Sequence, residues 1–173
     1  MQHNGSRKWR RYDSSKELIR GGTAIGVISD THGLVRPEAL HVLRGSDLII
    51  HAGDIGSSAV LDCLTALAPV VAVRGNVDGP WAADIPETAV VELGDTMLYV
   101  LHDSGRIDLK PEVSGFAAVI CGHSHKAVHE IRNGVHYFNP GSAGPKRFKL
   151  PITVGRLALR NGTLSGEIIE LKV

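Results

Sequence analysis

Five short apolar runs in this chain each stop at a side chain that can bind a metal ion. Residues 25–29 lead into Asp30-Thr31-His32, and residues 48–52 into Gly53-Asp54. Residues 70–73 pass through Arg74 to Gly75-Asn76, and residues 97–101 end in His102. Residues 119–121 end in Gly122-His123-Ser124-His125. Runs this short and this rich in Val and Ile read as strands, and in sheet-based α/β folds ligands gather beyond the carboxyl ends of the strands. The pattern predicts seven N/O donors at one sheet edge: Asp30, His32, Asp54, Asn76, His102, His123 and His125. Singly each would mean little, since a stray Gly-Asp or Gly-Asn is commonly only a turn. Five strand ends together are a far stronger constraint.

What lies between the runs sets the fold class. Pro37–Leu43 reads as a helix with proline in its first turn, and residues 58–67 as a second helix capped by Ser57. With strands at 24–29, 47–52 and 70–73 they make a β-α-β-α-β rhythm. Its strands are apolar throughout, as in a sheet buried on both faces. The second half changes character. Thr88–Leu93 and Thr96–Leu101 flank Gly94-Asp95, a two-residue hairpin turn with glycine first, and residues 117–121 make another buried strand. Asn133-Gly134 and Asn161-Gly162 centre two further hairpins, at 129–138 and 153–173. In the last strand Ile169, Leu171 and Val173 alternate with Glu170 and Lys172, which gives one buried and one wet face. A βαβ half followed by a mostly antiparallel half predicts an α/β (α+β) protein of two packed sheets with helices outside.

A chain of 173 residues suits one domain, here residues 23–173. Residues 1–22 carry six basic side chains against Asp13 and Glu17 and close on Gly21-Gly22. That composition predicts a loose extension, or an arm that touches a partner or substrate. The rest has thirteen basic and sixteen acidic residues, a formal charge of −3, which argues against nucleic acid as a partner. No run approaches about 18 uninterrupted apolar residues and no apolar leader opens the chain, so neither a membrane partner nor a signal peptide is expected. Cys63 and Cys121 lie in apolar surroundings and are expected as buried, reduced thiols of a cytoplasmic protein. Edge strands and apolar hairpins are compatible with a homo-oligomer.

The donor set is imidazole, carboxylate and one amide, without thiolate. Such a mixture suits Mn²⁺, Fe, Zn²⁺, Co²⁺ or Ni²⁺ and not an iron–sulfur or structural zinc site. Seven donors exceed what one tetrahedral ion needs. They suit two ions roughly 3.5–4 Å apart that share a carboxylate and clamp the attacking and departing oxygens of a phosphoryl group. In Asp30-x-His32 and His123-x-His125 an extended chain puts both side chains on one side, so each pair can grip one region. His3, His41, His129 and His136 read as surface or strand-face residues, and His51 as a packed support for the site.

Asp30-x-His32, Gly53-Asp54, Gly75-Asn76, His102, Gly122-His123-x-His125 and Asn139-Pro140-Gly141-Ser142 together resemble the motif series of the calcineurin-like metallophosphoesterases. The spacing and small size are similar to the compact bacterial and archaeal phosphodiesterase branch, which is similar to the retromer subunit Vps29. This resemblance covers residues 23–173 and implies a four-layer αββα sandwich of two mixed β-sheets flanked by helices. It implies two divalent metal ions, Mn²⁺ first, with Ni²⁺, Zn²⁺, Fe²⁺, Co²⁺ or Mg²⁺ as alternatives. By the same resemblance Asp30, His32 and His125 bind one ion, Asn76, His102 and His123 the other, and Asp54 bridges them. A hydroxide between the ions would attack the phosphorus of a small phosphate ester, while the Asn76 amide helps stabilise the charge that develops. Asp54, Asn76, Asp78 and His123 are then the expected catalytic residues, and Asn76 and Arg147 the expected contacts to substrate.

Two positions depart from the family pattern. Many members carry a histidine directly after the Gly-Asn pair, which protonates the leaving oxygen; here Val77 stands there, followed by Asp78. Valine has no proton to give. Asp78 replaces the histidine only if it holds a proton, and otherwise orients a water or ligand. Asp103 follows His102 where the family often has glycine. Asn139-Pro140-Gly141-Ser142 reads either as a turn that supports the site or as a substrate contact. Lys146 and Arg147 either meet phosphate or belong to a solvated loop. The competing function is a protein-interaction scaffold on the same fold. A scaffold is free to lose metal ligands, and this chain keeps all of them.

Overall fold

The computed structural model describes residues 22–173. The basic segment read as an extension therefore lies outside the described residues, Gly22 excepted. The first half runs β1 (Thr23–Ile28), α1 (Pro37–Leu43), β2 (Leu48–His51), α2 (Ser58–Thr65) and β3 (Val70–Ala72). The second runs β4 (Thr88–Leu93), β5 (Thr96–Leu101), β6 (Phe116–Ile120), β7 (Ala127–Arg132), β8 (Val135–Pro140), β9 (Thr153–Arg160) and β10 (Thr163–Glu170). One sheet has the order β10-β9-β1-β2-β3 and the other β4-β5-β6-β8-β7. Parallel β1, β2 and β3 are connected through α1 and α2, and β9 joins the other side of β1 antiparallel. In the second sheet, hairpins β4–β5 and β7–β8 are joined through parallel pairing of β5, β6 and β8. Both sheets are therefore mixed, and the last hairpin crosses over to complete the first of them.

Local sequence explains the hairpins. Gly94 has φ 60°, Asn133 and Gly134 have 49° and 79°, and Asn161 and Gly162 have 49° and 75°. Such left-handed values match the twist of a two-residue hairpin and cost glycine and asparagine least. α2 stops earlier than the expected residue 67, because Leu67 N donates to Leu64 O at 2.9 Å and tightens the last turn. Ser57 occupies its N-cap position, although its side chain makes no capping bond.

The core between the sheets contains Val27, Ile50, Val71, Val91, Leu98, Val100, Ile120, Phe138 and Leu157. A second core under the helices contains Leu43, Ile49, Val60, Leu61, Leu64 and Val154. The outer face of the second sheet has a thinner cover. A segment with the 3₁₀ turn Ser104–Arg106 lays Ile107 and Leu109 on Tyr99, Leu101, Val119, Cys121 and Val135. Gly105, Pro111 and Gly115 interrupt this segment too often for a longer helix. Cys121 is buried as expected, and burial pushes its thiol up to about 11. Cys63 corrects the reading: it is exposed, because Val60, Leu61 and Leu64 form the inward stripe of α2 and residue 63 falls off it.

Phe138 is fully buried on β8 and reaches across to two glycines of the other sheet. A Cβ at Gly155 would stand 2.3 Å from Phe138 Cε1, and one at Gly166 would stand 3.0 Å from Phe138 Cε2. The ring thus fills the room those residues leave. Gly155→Ala should cost about 1–3 kcal/mol by overpacking, measured by thermal or denaturant unfolding. Combined with Phe138→Leu, it should lose less than the two single losses add to. Simple additivity would refute the contact.

His51 closes β2 on the helix-covered face and is wholly buried. Thr31 Oγ1 donates to Ile55 O at 2.8 Å, so His51 Nε2 donates to Thr31 Oγ1 at 2.9 Å, while Nδ1 accepts from Gly53 N at 3.2 Å. A second ring proton would face the Gly53 N–H. Burial, aided by the nearby His102, pushes this imidazole down to about 3. An unfolded histidine takes a proton near pH 6.5, so acid favours the unfolded chain. Stability should be lost as pH falls below 6.5, by about 2 kcal/mol at pH 5 from this residue alone. Denaturant unfolding at pH 7 and pH 5 reads the effect: the stability gap between the unaltered chain and His51→Gln should narrow by that amount.

Candidate metal centre

Past the ends of β1 and β2, backbone bonds continue to lace the two loops together. Asp30 N donates to Gly53 O at 3.0 Å, His32 N to Asp54 O at 2.9 Å, and Gly33 N to Ile55 O at 2.7 Å. Asp30, His32, Asp54, His123 and His125 have φ of 54°, 48°, 52°, 68° and 59°. Left-handed backbone costs a residue with a Cβ about 1–2 kcal/mol, and such strain clusters at functional sites. This corrects the extended geometry expected for Asp30-x-His32 and His123-x-His125. Both pairs are presented from curled turns, and in the first of them curling lets the N–H groups of Asp30, His32 and Gly33 reach the carbonyls of the next loop. Gly75 is fixed by close approach: a Cβ there would lie 2.0 Å from Asp54 Oδ1.

All seven expected donors converge. Asp30, His32 and His125 offer ligand atoms within 4.8 Å of one another, and so do Asp30, Asp54 and His102. Asn76 Oδ1 lies 3.1 Å from both His102 Nε2 and His123 Nδ1. Asp54 lies between the groups, with Oδ1 3.3 Å from His102 Nε2 and Oδ2 3.9 Å from His32 Nε2. Asp30, Asp54, His102 and His125 are buried, whereas Asn76 and His123 are exposed at the mouth. A cleft of about 490 Å³ opens beside Asn76, His102 and His123, with Arg74, Tyr99 and Arg106 among its walls.

The hydrogen positions sharpen the chemistry. His102 Nδ1 donates to Ala52 O at 2.8 Å, which leaves Nε2 of the neutral ring as a bare lone pair. That lone pair faces two oxygens, on Asn76 and Asp54. His32 Nε2 and His125 Nε2 face each other at 3.4 Å, and Asp30 Oδ1 is buried without a hydrogen-bond partner. Lone pairs aimed into one volume repel unless a cation stands among them, so the donor set fits divalent metal ions. Without a cation, proton uptake relieves part of that repulsion, and the acid–base balance shows where. Burial pushes Asp30 up and His125 down, which disfavours the charged form of each. Burial also acts to raise Asp54, but bonds from His102 and the Val77 N–H outweigh it and hold the carboxyl below its ordinary value. Burial acts to lower His102, yet its bonds to Asp54 and the Ala52 carbonyl leave it above the ordinary histidine range.

Supporting residues surround this set. Ser29 Oγ donates to Asp30 Oδ2 at 2.7 Å, and His123 N donates to the same oxygen at 3.1 Å. Asn139 Nδ2 donates to Gly122 O at 2.7 Å, and Ser142 Oγ to Asp30 O at 3.0 Å. Asn139-Pro140-Gly141-Ser142 therefore holds two donor loops in place. Sequence reading missed Ser29, whose one signal was a hydroxyl at the end of an otherwise apolar strand. Asp78 is turned away from proton donation: Oδ2 accepts from Ile55 N at 3.1 Å and Gly75 N at 2.8 Å, and Oδ1 from Gly56 N at 2.8 Å. Asp103 Oδ1 accepts from Gly105 N at 2.9 Å and starts the 3₁₀ turn. Lys146 and Arg147 lie on an exposed loop, and the Arg147 charge adds to burial in lowering His125.

Comparison with known proteins agrees with this geometry. Residues 24–162 match the model of the calcineurin-like phosphoesterase superfamily domain. A probable metallophosphoesterase of Methanocaldococcus jannaschii is 36% identical over 139 residues, 72% of this chain and 71% of that protein. The structure of a novel archaeal phosphodiesterase superposes with a TM-score of 0.70 at 25% identity, covering 84% of this chain and 99% of that one. Vacuolar protein sorting 29 of Cryptosporidium parvum shares the fold, with a TM-score of 0.69 at 18% identity over 88% of this chain and all of that one, 100%. With the family model matching most of its length and its motifs assembled where strand ends of the two sheets meet, this chain belongs to the calcineurin-like phosphoesterase superfamily.

Proposed function

We propose that the protein is a phosphodiesterase that holds two divalent cations and hydrolyses a small organic phosphate ester. Asp54 carries the reading: its two oxygens face two separate groups of donors, 3.3 Å from His102 and 3.9 Å from His32. Asp30, His32 and His125 hold one cation, and Asn76, His102 and His123 the other. Mn²⁺ leads the candidates, with Ni²⁺, Zn²⁺, Fe²⁺, Co²⁺ and Mg²⁺ behind it. When bound, such cations neutralise a phosphoryl group and supply an activated water at neutral pH. The chain does the rest. Asn76 and His123 sit at the exposed mouth, where the Asn76 amide meets an oxygen of the ester. Arg147 supplies a positive charge on the His125 side, suited to the anionic phosphate. The cleft beside His102 accepts one ester arm. The working unit is residues 23–173, in the cytoplasm.

Val77 is exposed where a proton donor would stand, so no acid on this loop assists the leaving oxygen. For a series of diesters, the hydrolysis rate should fall steeply as the leaving alcohol becomes more basic. A flat dependence would disprove the missing acid.

Stripping the protein of metal should abolish hydrolysis of bis(p-nitrophenyl) phosphate, and Mn²⁺ should restore it. Asp54→Ala should lower the restored rate by about a thousandfold, ~4 kcal/mol of barrier. Tight binding of cations with no turnover of any ester would favour the protein-interaction scaffold instead.

A further inference from the structure

The lacing of the active-site loops changes partner midway. Between the loops after β1 and β2 it is made by backbone, from Asp30–Gly53 to Gly33–Ile55. Between the loops after β2 and β3 the backbone ladder ends at Val73 N to His51 O, 3.1 Å. From there onward one side chain takes over. The Asp78 carboxylate accepts from Ile55 and Gly56, directly after Asp54, and from Gly75, directly before Asn76. The return contact comes from Val77 N, which donates to Asp54 Oδ1 at 3.1 Å. We infer that Asp78 is a positioning residue: it ties the Asp54 loop to the Asn76 loop and so sets the spacing of the two donors that share the second cation. The inference rests on the two-cation reading of the site.

Acceptor capacity explains why an aspartate stands here. Three N–H groups converge on two oxygens, and both oxygens of the side chain must accept. An asparagine in its place is not equivalent, since the amide NH₂ would oppose either the Gly56 N–H or the Ile55 and Gly75 pair. The same engagement removes Asp78 from proton transfer, because a carboxylate accepting at both oxygens has no hydrogen to give. With Val77 beside it, the 75–78 loop stabilises cation spacing and leaves the departing oxygen unprotonated. Substrates whose leaving group is a weak base, such as aryl esters and phosphoanhydrides, are then the ones this loop serves best.

Calorimetric titration of metal-free protein with Mn²⁺ tests the inference directly. The unaltered chain should bind two ions, and Asp78→Asn should bind one of them at least tenfold more weakly. Hydrolysis by Asp78→Asn should fall by the same factor for good and poor leaving groups. Two ions bound as in the unaltered chain, or a loss that grows with the basicity of the leaving alcohol, would overturn it. Hydrogen exchange of the unaltered, metal-free protein gives a second reading that survives a variant too unstable to study. The amides of Ile55, Gly56 and Gly75 should be protected, and exchange at open-loop rates would equally overturn the clamp. Failure of the unaltered chain to bind Mn²⁺ or turn over any diester would instead sink the two-cation reading, while the exchange result would still stand on the clamp alone.

Discussion

The arrangement on which the rest depends is repulsive by itself. Imidazole nitrogens and carboxylate oxygens are turned toward one small volume, with His102 Nδ1 tied to the Ala52 carbonyl so that Nε2 faces Asp54, and with Asp30 Oδ1 buried 3.3 Å from His125 Nε2 without a hydrogen bond. Removing such groups from water without pairing them is costly. The fold must therefore hold them in place until cations supply the missing attraction. That explains why the donors are short side chains, Asp, Asn and His, on tightly held backbone. Five of the seven sit in left-handed conformations that any relaxed loop would abandon.

Holding that strain is the task of the sheet ends. Parallel pairing of β1 with β2 and of β2 with β3 brings three loops side by side, and backbone bonds prolong the first of these pairings past the last sheet residue. His51 and Thr31 brace the underside of the first two loops, while Ser142 reaches back to the Asp30 carbonyl and Asn139 to that of Gly122. The second sheet contributes His102 from the end of β5 and the His123–His125 loop from the end of β6. Phe138, packed onto Gly155 across the interface, fixes the distance between those two sheets. Core packing and donor spacing are thus one problem, since a shift between the sheets would move His102 and His123 relative to Asp54.

Much of this was legible because it depends on residue type and period. Strand ends showed where apolar runs met Asp, His or Asn, and the Asn-Gly turns named their hairpins outright. The parts that stayed hidden depend on tertiary geometry. Asp and His tolerate left-handed φ better than most residues, but nothing local in the sequence marks Asp30 and His125 as adopting it. The exposed position of Cys63 follows from which stripe of α2 faces the sheet, and a single apolar neighbourhood in sequence does not give that phase. Joining of the last hairpin to β1 rather than to its nearer neighbours is likewise a matter of long-range pairing. Asp78 shows the limit most clearly: an acid beside a missing histidine invites a chemical role, and only the three N–H groups around it reveal a mechanical one.

Burial divides the site into two unequal halves. Asp30 and His125 are buried, whereas Asn76 and His123 are exposed and border the cleft. Electrostatic interactions strengthen as water is excluded, so the inner half is suited to grip a cation and the outer half to exchange water and ester oxygens. The outer half also depends on looser mechanics. Its Asn76 loop is tied to the Asp54 loop by Asp78 and the Val77 N–H, not by a backbone ladder. On the proposed two-cation reading, a site built this way keeps one charge fixed and lets the other adjust. Such a gradient suits a reaction in which the ester must arrive, be displaced and leave through the same open mouth.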